Sequence, residues 1–368
     1  MAQGAETNGS ERRGSLTEAE LRGRIAAGSR AGADYLALAK LLKTTLRFEE
    51  AAEIYKQGLR HDVSTAEKAR LAWELGALLD KVMCRTEEAA TLAEEALGLL
   101  TDEPDTADSE LLRGLSHSLL AHALWFRDEQ AGASAAREAI RLLEQLISTH
   151  REHPDIGSAF VEIAWAHTSL GHHHRAIELC REHLRAEQDP GYRLQSLITM
   201  AEALRNIGRL REAEDTLTQA LECSHADPLT RPLLYVTQGL IRQGMQQPAS
   251  ALESFERALH ALRDHPLEVR DQEILKTIYG NLAELHYANA NLREAIGALK
   301  QLLIQYNDDG EDRHRILNWL GTCQATIGAA GEARRCFEEV LASPLVNDVE
   351  KTEAKDGLTR LTRPKGRM

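Results

Sequence analysis

The sequence predicts an all-α fold, an α-solenoid of about eight antiparallel helix pairs. One pattern of small and apolar residues recurs eight times along the 368 residues, with successive copies 37 to 44 residues apart. A period of this size is typical of stacked helical units that each contact only their neighbours. Ala and Leu, which favour helices, are abundant, and aromatic residues make up only 4% of the chain. We therefore expect a molecule built by repetition around an extended core.

Each copy of the pattern predicts the second helix of a pair. A small residue is followed four positions later by a larger apolar residue, and three positions after that by another small or apolar residue. Offsets of four and three keep all three side chains on one helical face. The second helices start near positions 51, 89, 132, 176, 213, 251, 295 and 333, and the copies are Ala51, Tyr55, Gly58; Ala89, Ala93, Ala96; Gly132, Ala136, Ala139; Ala176, Cys180, His183; Ala213, Leu217, Ala220; Ala251, Phe255, Ala258; Ala295, Leu299, Leu302; and Ala333, Phe337, Val340.

A second series of small residues predicts the first helix of each pair. These residues lie about 12 positions upstream of the copies, at Ala39, Gly76, Ala121, Ala164, Ala201, Gly239, Ala283 and Gly321. Gly or Asn punctuates the segment between the two helices, as at Gly171, Gly208, Asn291 and Gly328. Small residues that face each other allow two helices to approach closely, so the unit is an antiparallel helix pair.

The ends of the chain lack the repeat. Residues 1–16 are rich in Gly, Ser, Thr and charge, which predicts a disordered segment. The solenoid is expected over 17–347, a capping helix with a polar outer face over 348–362, and a basic tail over 363–368.

Composition narrows the class of partner and the compartment. The net charge of −13 disfavours general nucleic-acid binding, which requires cations to neutralise phosphates. The sequence predicts no membrane span, because its apolar stretches are interrupted by charges. It predicts no secretory signal, because the opening MAQGAETNGSERRGSLTEAE contains no apolar core segment. Five scattered cysteines are expected to be free thiols in a cytoplasmic protein, namely Cys84, Cys180, Cys223, Cys323 and Cys336.

Several segments resemble tetratricopeptide repeats. The second half of that repeat is similar to LGHHHRAIELCREHL, IGRLREAEDTLTQAL, ANLREAIGALKQLL and IGAAGEARRCFEEVL, and the first half to WELGALL and NWLGTCQ. The resemblance covers residues 33 to 342 and implies a right-handed superhelix whose first helices line a concave side. The spacing here exceeds the 34 residues of the family's basic repeat, so longer helices or longer connections are expected.

All four tryptophans fall on predicted first helices and form the main binding hypothesis. At about 100° per residue, Trp73, Trp125, Trp165 and Trp319 share an arc of about 120° on the predicted concave face. Trp supplies large contact area and is enriched in binding hot spots. The remaining candidate contacts are polar or aromatic residues of the same arc, namely Arg205, Asn281, Tyr287, Arg315 and Asn318. The alternative is that each Trp packs against the next repeat.

Catalytic motifs are not found in the sequence. It contains no phosphate-binding glycine loop, no HExxH, no GxSxG and no dinucleotide fingerprint, so we expect no enzyme and no cofactor. One weak metal candidate lies in the fourth repeat, where His167, Cys180 and His183 share the contact between two helices. The structural interpretation, in which these side chains fill the helix contact, is favoured over zinc binding.

The sequence thus predicts a cytoplasmic adaptor that binds a protein segment or peptide in its concave groove, without nucleic acid or membrane as a partner. It leaves open whether that segment is extended or helical, and which oligomer forms. The alternative function is a peptide-gated regulatory receptor acting through protein contacts, similar to the bacterial peptide-pheromone receptors built from stretched repeats.

Overall fold

The computed structural model describes residues 16–83, 85–125, 127–187, 189–223, 230–263, 269–306 and 310–362. These residues form eighteen α-helices and no strand. Of the segments predicted at the ends, the tail over 363–368 and all of 1–16 except Leu16 lie outside the described residues, as does Cys84. In the described part, no helix combines the length and the apolar character that crossing a membrane requires.

The first of two compact units runs from Met1 to His153. A short helix, α1, precedes three antiparallel pairs in which each helix packs against the next along the chain. The helices of this unit are α1 Glu18–Ala26, α2 Gly32–Thr44, α3 Phe48–Arg60, α4 Thr65–Lys81, α5 Thr86–Leu99, α6 Ala107–Leu124 and α7 Glu129–Thr149.

The second unit runs from Pro154 to Met368 and holds five further pairs and a final helix, α18. Its helices are α8 Ile156–Ser169, α9 His173–Ala186, α10 Pro190–Asn206, α11 Leu210–Cys223, α12 Thr230–Gly244, α13 Pro248–Arg263, α14 Val269–Ala288, α15 Leu292–Ile304, α16 Glu311–Thr326, α17 Ala330–Ala342 and α18 Asp348–Thr362. The predicted fold class, an all-α solenoid of eight helix pairs, is confirmed.

The recurring pattern forms the core of every pair. All residues of the eight copies are buried, and so are the eight upstream small residues. The small residues are matched by large ones across the pair: a Cβ added to Gly321 would lie 2.7 Å from a ring atom of Phe337, and one added to Gly239 would lie 2.7 Å from Phe255. A glycine on the first helix therefore leaves the room that an aromatic ring of the second helix occupies.

In several pairs, the turn between the two helices contains one residue in the left-handed backbone conformation, with positive φ. Gly171, Gly208 and Gly328 adopt φ of 78°, 77° and 86°, a region that glycine enters without steric cost. In the seventh pair the same role falls to Ala290 with φ 59°, one position before the predicted Asn291. Helices α1, α4 and α6 each begin with a reciprocal capping box, in which the N-cap residues are Thr17, Ser64 and Thr106.

Candidate binding surface on the first helices

Trp73 joins two successive first helices of the first unit. It is half-buried on α4, and its indole N–H donates a hydrogen bond of 3.2 Å to the Leu115 carbonyl oxygen on α6. The Arg70 guanidinium lies 5.3 Å from the ring centroid. The polar atom of this indole is therefore already used within the fold, as the packing alternative for the tryptophans describes.

A buried carboxylate follows Trp73. Glu74 is only 6% exposed, and its oxygens lie 3.3 Å from Lys40 Nζ, 3.5 Å from Lys43 Nζ and 3.8 Å from Arg70 Nε. The Tyr55 hydroxyl donates to it over 3.4 Å. Burial alone would raise the pKa of Glu74, but the three cations outweigh burial and lower that pKa below its ordinary value. This cluster ties α2, α3 and α4 together.

Trp125 and Trp165 are both half-buried. Trp125 is the C-cap residue directly after α6, and its Cα lies 3.1 Å from the position that a Cβ of Gly132 on α7 would take. Trp165 lies on α8 in the second unit. Both remain candidate contacts.

In the second unit, two aromatic side chains of α14 and α16 contact each other beside a cavity. Trp319 on α16 and Tyr287 on α14 form an edge-to-face pair with ring centroids 5.9 Å apart, and Tyr287 is 46% exposed. Beside Trp319, between α16 and α18, is a cavity of about 360 Å³. Its walls are residues of these two helices, Arg315, Asn318, Trp319, Thr322, Glu353, Asp356, Gly357 and Arg360. The cavity thus brings together three of the residues predicted from the sequence.

Asn318 holds one wall of this cavity in place. It is 4% exposed, and its side-chain amide donates to the backbone oxygen of Glu350 over 2.9 Å and to the Glu350 carboxylate over 3.0 Å. Glu350 is itself buried near the start of α18. The predicted contact residue therefore attaches the capping helix to α16.

The cavity lining carries two arginines and two carboxylates, of which only one arginine has an ion-pair partner in the described part of the chain. Arg315 is exposed and ion-paired with Asp312, one turn earlier on α16. Glu353, Asp356 and Arg360 are exposed on α18 and form no ion pair within the described residues. These three α18 residues were not among the predicted contacts, because α18 was expected only as a capping helix with a polar outer face. The available signal was their spacing of three and four positions, which places them on one helical face.

Two other predicted residues of the second unit lie outside the cavity lining. Arg205 on α10 is half-buried and donates to the Asn206 side-chain oxygen over 3.4 Å. On the same helix, burial raises the pKa of Glu202, opposed only in part by Arg205. The Asn281 amide on α14 donates to the Thr277 backbone oxygen over 2.7 Å.

His183, from the weak metal candidate, is fully engaged by neighbouring side chains. It is 4% exposed, and its ring nitrogens lie 2.7 Å from Ser196 Oγ and 3.0 Å from a Glu187 carboxylate oxygen. Its ring stacks on Phe160 with centroids 5.0 Å apart. Burial lowers the pKa of His183, which favours the neutral imidazole of a packed core residue.

The other two members of that candidate have different surroundings. His167 Nδ1 lies 3.3 Å from His172 Nδ1, and burial raises the pKa of the Cys180 thiol to about 12. Such a thiol is protonated at neutral pH, as is usual for a cysteine packed among apolar side chains. Over the described ranges, no group of three or more His, Cys, Asp or Glu side chains is arranged to hold a metal ion.

Comparison with known proteins gives matches to two family models. Residues 157–271 match a model described as tetratrico peptide repeat, and residues 281–344 match one described as tetratricopeptide repeat. No curated protein matches the sequence.

Solved structures with a similar fold cover most of the chain at low identity. A tetratricopeptide repeat protein from Parabacteroides merdae is 14% identical, covers 80% of this chain and 98% of its own, and has a TM-score of 0.46. The human IFIT1 dimer with m7Gppp-AAAA is 15% identical over 94% of this chain and 84% of its own, with a TM-score of 0.48. BtubC from P. vanneervenii is 16% identical over 64% of this chain and 94% of its own, with a TM-score of 0.45.

Proposed function

This chain is a tetratricopeptide-repeat protein, and from that premise we propose that it is an adaptor that binds a segment of a protein partner along its first helices. Repeats of this family act as protein-interaction scaffolds. The finer proposal, that the segment occupies the groove lined by the first helices, rests on one observation. Trp319, which contacts the half-exposed Tyr287, lines a cavity between α16 and α18 that also holds three charged side chains of α18, unpaired in the part of the chain that the structure describes.

Aromatic residues beside an open cavity fit the role of a binding anchor. Trp and Tyr contribute much contact area for little loss of side-chain freedom, and they are enriched among the residues that dominate protein interfaces. Trp73 is a weaker anchor in this scheme, because its indole N–H is bonded to Leu115. The second unit is therefore proposed as the main contact region.

Charge and cysteine chemistry support a protein partner in the cytoplasm. A net charge of −13 repels the phosphates of nucleic acids over the distances at which partners first meet. The described cysteines are free thiols, namely Cys180, Cys223, Cys323 and Cys336, as suits a reducing compartment. The proposal assigns binding, and no reaction, to this protein.

The test is site-specific photo-crosslinking in cells. Thr322 lines the cavity and is exposed, so p-benzoylphenylalanine introduced there should capture the bound segment for identification by mass spectrometry. Arg335, which is exposed on α17, is the matched control position. We expect a protein captured from position 322 and not from position 335, and we expect its loss when Trp319→Ala is added in a variant of unchanged helicity.

Equal capture from both positions, or none from position 322, would contradict this proposal. The peptide-gated alternative differs in one measurable respect. If the captured segment, added as a peptide, changes the radius of gyration in X-ray scattering, the protein is a gated receptor; an adaptor keeps its dimensions.

A further inference from the structure

We infer that the cavity between α16 and α18 binds a basic side chain, a lysine or an arginine, of the partner segment. The inference rests on the proposed function and names the chemistry that this one subsite selects. The expected ligand is cationic even though two arginines also line the cavity.

The aromatic wall is the first reason. Trp319 lines the cavity and makes an edge-to-face contact with Tyr287 on α14. A cation above or beside an indole is attracted by the negative face of the ring, and Trp is the strongest aromatic partner for such a contact. The long methylene chains of Lys and Arg also cover apolar surface while the charged end stays near polar groups.

Two carboxylates supply the second reason. Glu353 and Asp356 lie three positions apart on one face of α18, and both line the cavity opposite Trp319. Neither forms an ion pair within the described residues, so both are available to a ligand. A guanidinium can bond one carboxylate through two parallel hydrogen bonds, and an ammonium can bond either.

The two arginines of the lining do not make the cavity unfavourable for a cation. Arg315 is already paired with Asp312, which compensates its charge. Arg360 lies one turn after Asp356 and remains uncompensated, so it repels a bound cation. Removing Arg360 should therefore strengthen the binding of a basic side chain and weaken that of an acidic one.

The size of the cavity and the charge of the chain agree with this ligand. A volume of about 360 Å³ lies at the lower end of small-ligand pockets, which suits one long side chain rather than a folded partner. The net charge of −13 raises the local concentration of cationic segments around the whole protein. An acidic segment would have to approach against both that field and the two free carboxylates.

The experiment is a titration of the full chain followed by NMR of ¹⁵N-labelled tryptophan side chains. The Trp319 indole signal is assigned from its loss in Trp319→Phe. The probes are N-acetyl-arginine amide, N-acetyl-lysine amide, the neutral N-acetyl-citrulline amide and N-acetyl-glutamate amide. We expect the arginine and lysine probes to shift the Trp319 signal with affinities at least about five-fold above that of citrulline, since a cation–π contact and a partly exposed ion pair each add a modest gain.

Variants test the assigned charges. Glu353→Gln combined with Asp356→Asn should remove the preference for the arginine probe over citrulline. Arg360→Gln should raise the affinity for the arginine probe about two-fold or more. Glu338→Gln, which removes an exposed carboxylate from α17, is the control and should change nothing. All of these side chains are exposed, so the variants are expected to stay folded.

Equal shifts from arginine and citrulline probes would overturn the inference. Preferential binding of the glutamate probe that is lost in Arg360→Gln would also overturn it, because the subsite would then select an anionic ligand. This inference can fail while the proposed function holds. If a segment is crosslinked at position 322 but the NMR probes show no charge preference, the adaptor function is supported and the assignment of this subsite is overturned.

Discussion

At the scale of single residues, two carboxylates on first helices have opposite pKa shifts. Glu74 is buried among Lys40, Lys43 and Arg70, which lower its pKa. Glu202 has a raised pKa because burial is opposed only in part by a single cation. The charged form of Glu74 therefore stabilises the fold, while the charged form of Glu202 costs stability.

We predict that Glu74→Gln lowers the free energy of unfolding by about 1–2 kcal/mol near neutral pH, less than for a fully buried pair because its cations reach solvent. The pKa of Glu74 is lower in the folded chain than its ordinary 4.5, so its contribution is complete above that value and is lost as pH falls through the lowered one. Urea unfolding near pH 7 and at about pH 4 should show the difference narrowing in acid. A difference that is constant with pH would show that packing alone is affected.

Glu202→Gln should act in the opposite direction and raise the free energy of unfolding at neutral pH, by about 1 kcal/mol or less. Since the pKa of Glu202 is raised above 4.5 in the folded state, its ionisation destabilises the fold progressively as pH rises through the raised value. The same pair of urea experiments checks it. The gain should be present near pH 7 and vanish below the ordinary pKa, and destabilisation at neutral pH would refute it.

At the scale of helices, the spacing of small and large residues determines how closely a pair packs. Gly321 leaves room for the Phe337 ring, and a methyl group there would approach ring atoms to 2.7 Å. Gly297 on α15 is exposed in mid-helix, with nothing within 4 Å of an added Cβ. The two glycines therefore have different reasons to be present.

Gly321→Ala should lower the free energy of unfolding by about 1–3 kcal/mol, because the ring must move within a packed core. Gly297→Ala is the matched control and should raise it by about 0.5–1 kcal/mol through helix propensity. Chemical denaturation of both variants measures the two signs. If both substitutions raise the free energy of unfolding, the core around Phe337 accommodates a methyl group, and the prediction for Gly321 is wrong.

One side chain of α16, Asn318, bonds α18 in addition to the apolar packing of Ala354 and Leu358. Asn318→Ala removes both hydrogen bonds to Glu350 and should loosen α18 without changing helices further from it. Hydrogen–deuterium exchange should increase in peptides from Asp348–Thr362 and stay unchanged in peptides from Leu210–Cys223. Faster exchange in both would mean that the repeats unfold as one body instead of from the end.

Helix pairs were predictable from the sequence because their signal is local and repeated. Positions such as Ala251, Phe255 and Ala258 belong to one helix, so helical geometry alone places them on one face, and the structure buries them all. The partner of each exposed side chain was not predictable in this way. That Trp73 donates to Leu115 depends on how successive pairs are rotated against each other, which the phase of a single helix does not contain.

The same reason explains the missed half of the candidate cavity. Trp319 and Arg315 were found from their own helix, but Glu353 and Asp356 contribute only because α18 packs beside α16. The sequence predicted α18 as a capping helix with a polar outer face, and it gave no sign that charged residues of this helix would line a cavity. A repeat pattern that ends at Val340 has no copy from which to predict the face after it.

At the scale of the whole molecule, the excess of 57 acidic over 44 basic residues affects any charged partner before contact. Exposed charges interact over about 8–10 Å at moderate salt, and much further in dilute buffer. The proposed basic ligand is therefore attracted by two separable contributions, the local carboxylates of the cavity and the field of the chain.

Salt should separate these contributions. We expect the affinity of N-acetyl-arginine amide to fall several-fold between about 20 mM and about 500 mM NaCl, while that of the citrulline probe hardly changes. In Glu353→Gln combined with Asp356→Asn, only two of the negative charges are gone, so the weakened arginine binding should keep part of its salt dependence. If the variant instead lost all salt dependence, the attraction would be entirely local, and the net charge of the chain would have no part in selecting the partner. If salt left arginine binding unchanged in the unmodified protein, neither the field nor the carboxylates would contribute, and the aromatic pair alone would account for the site.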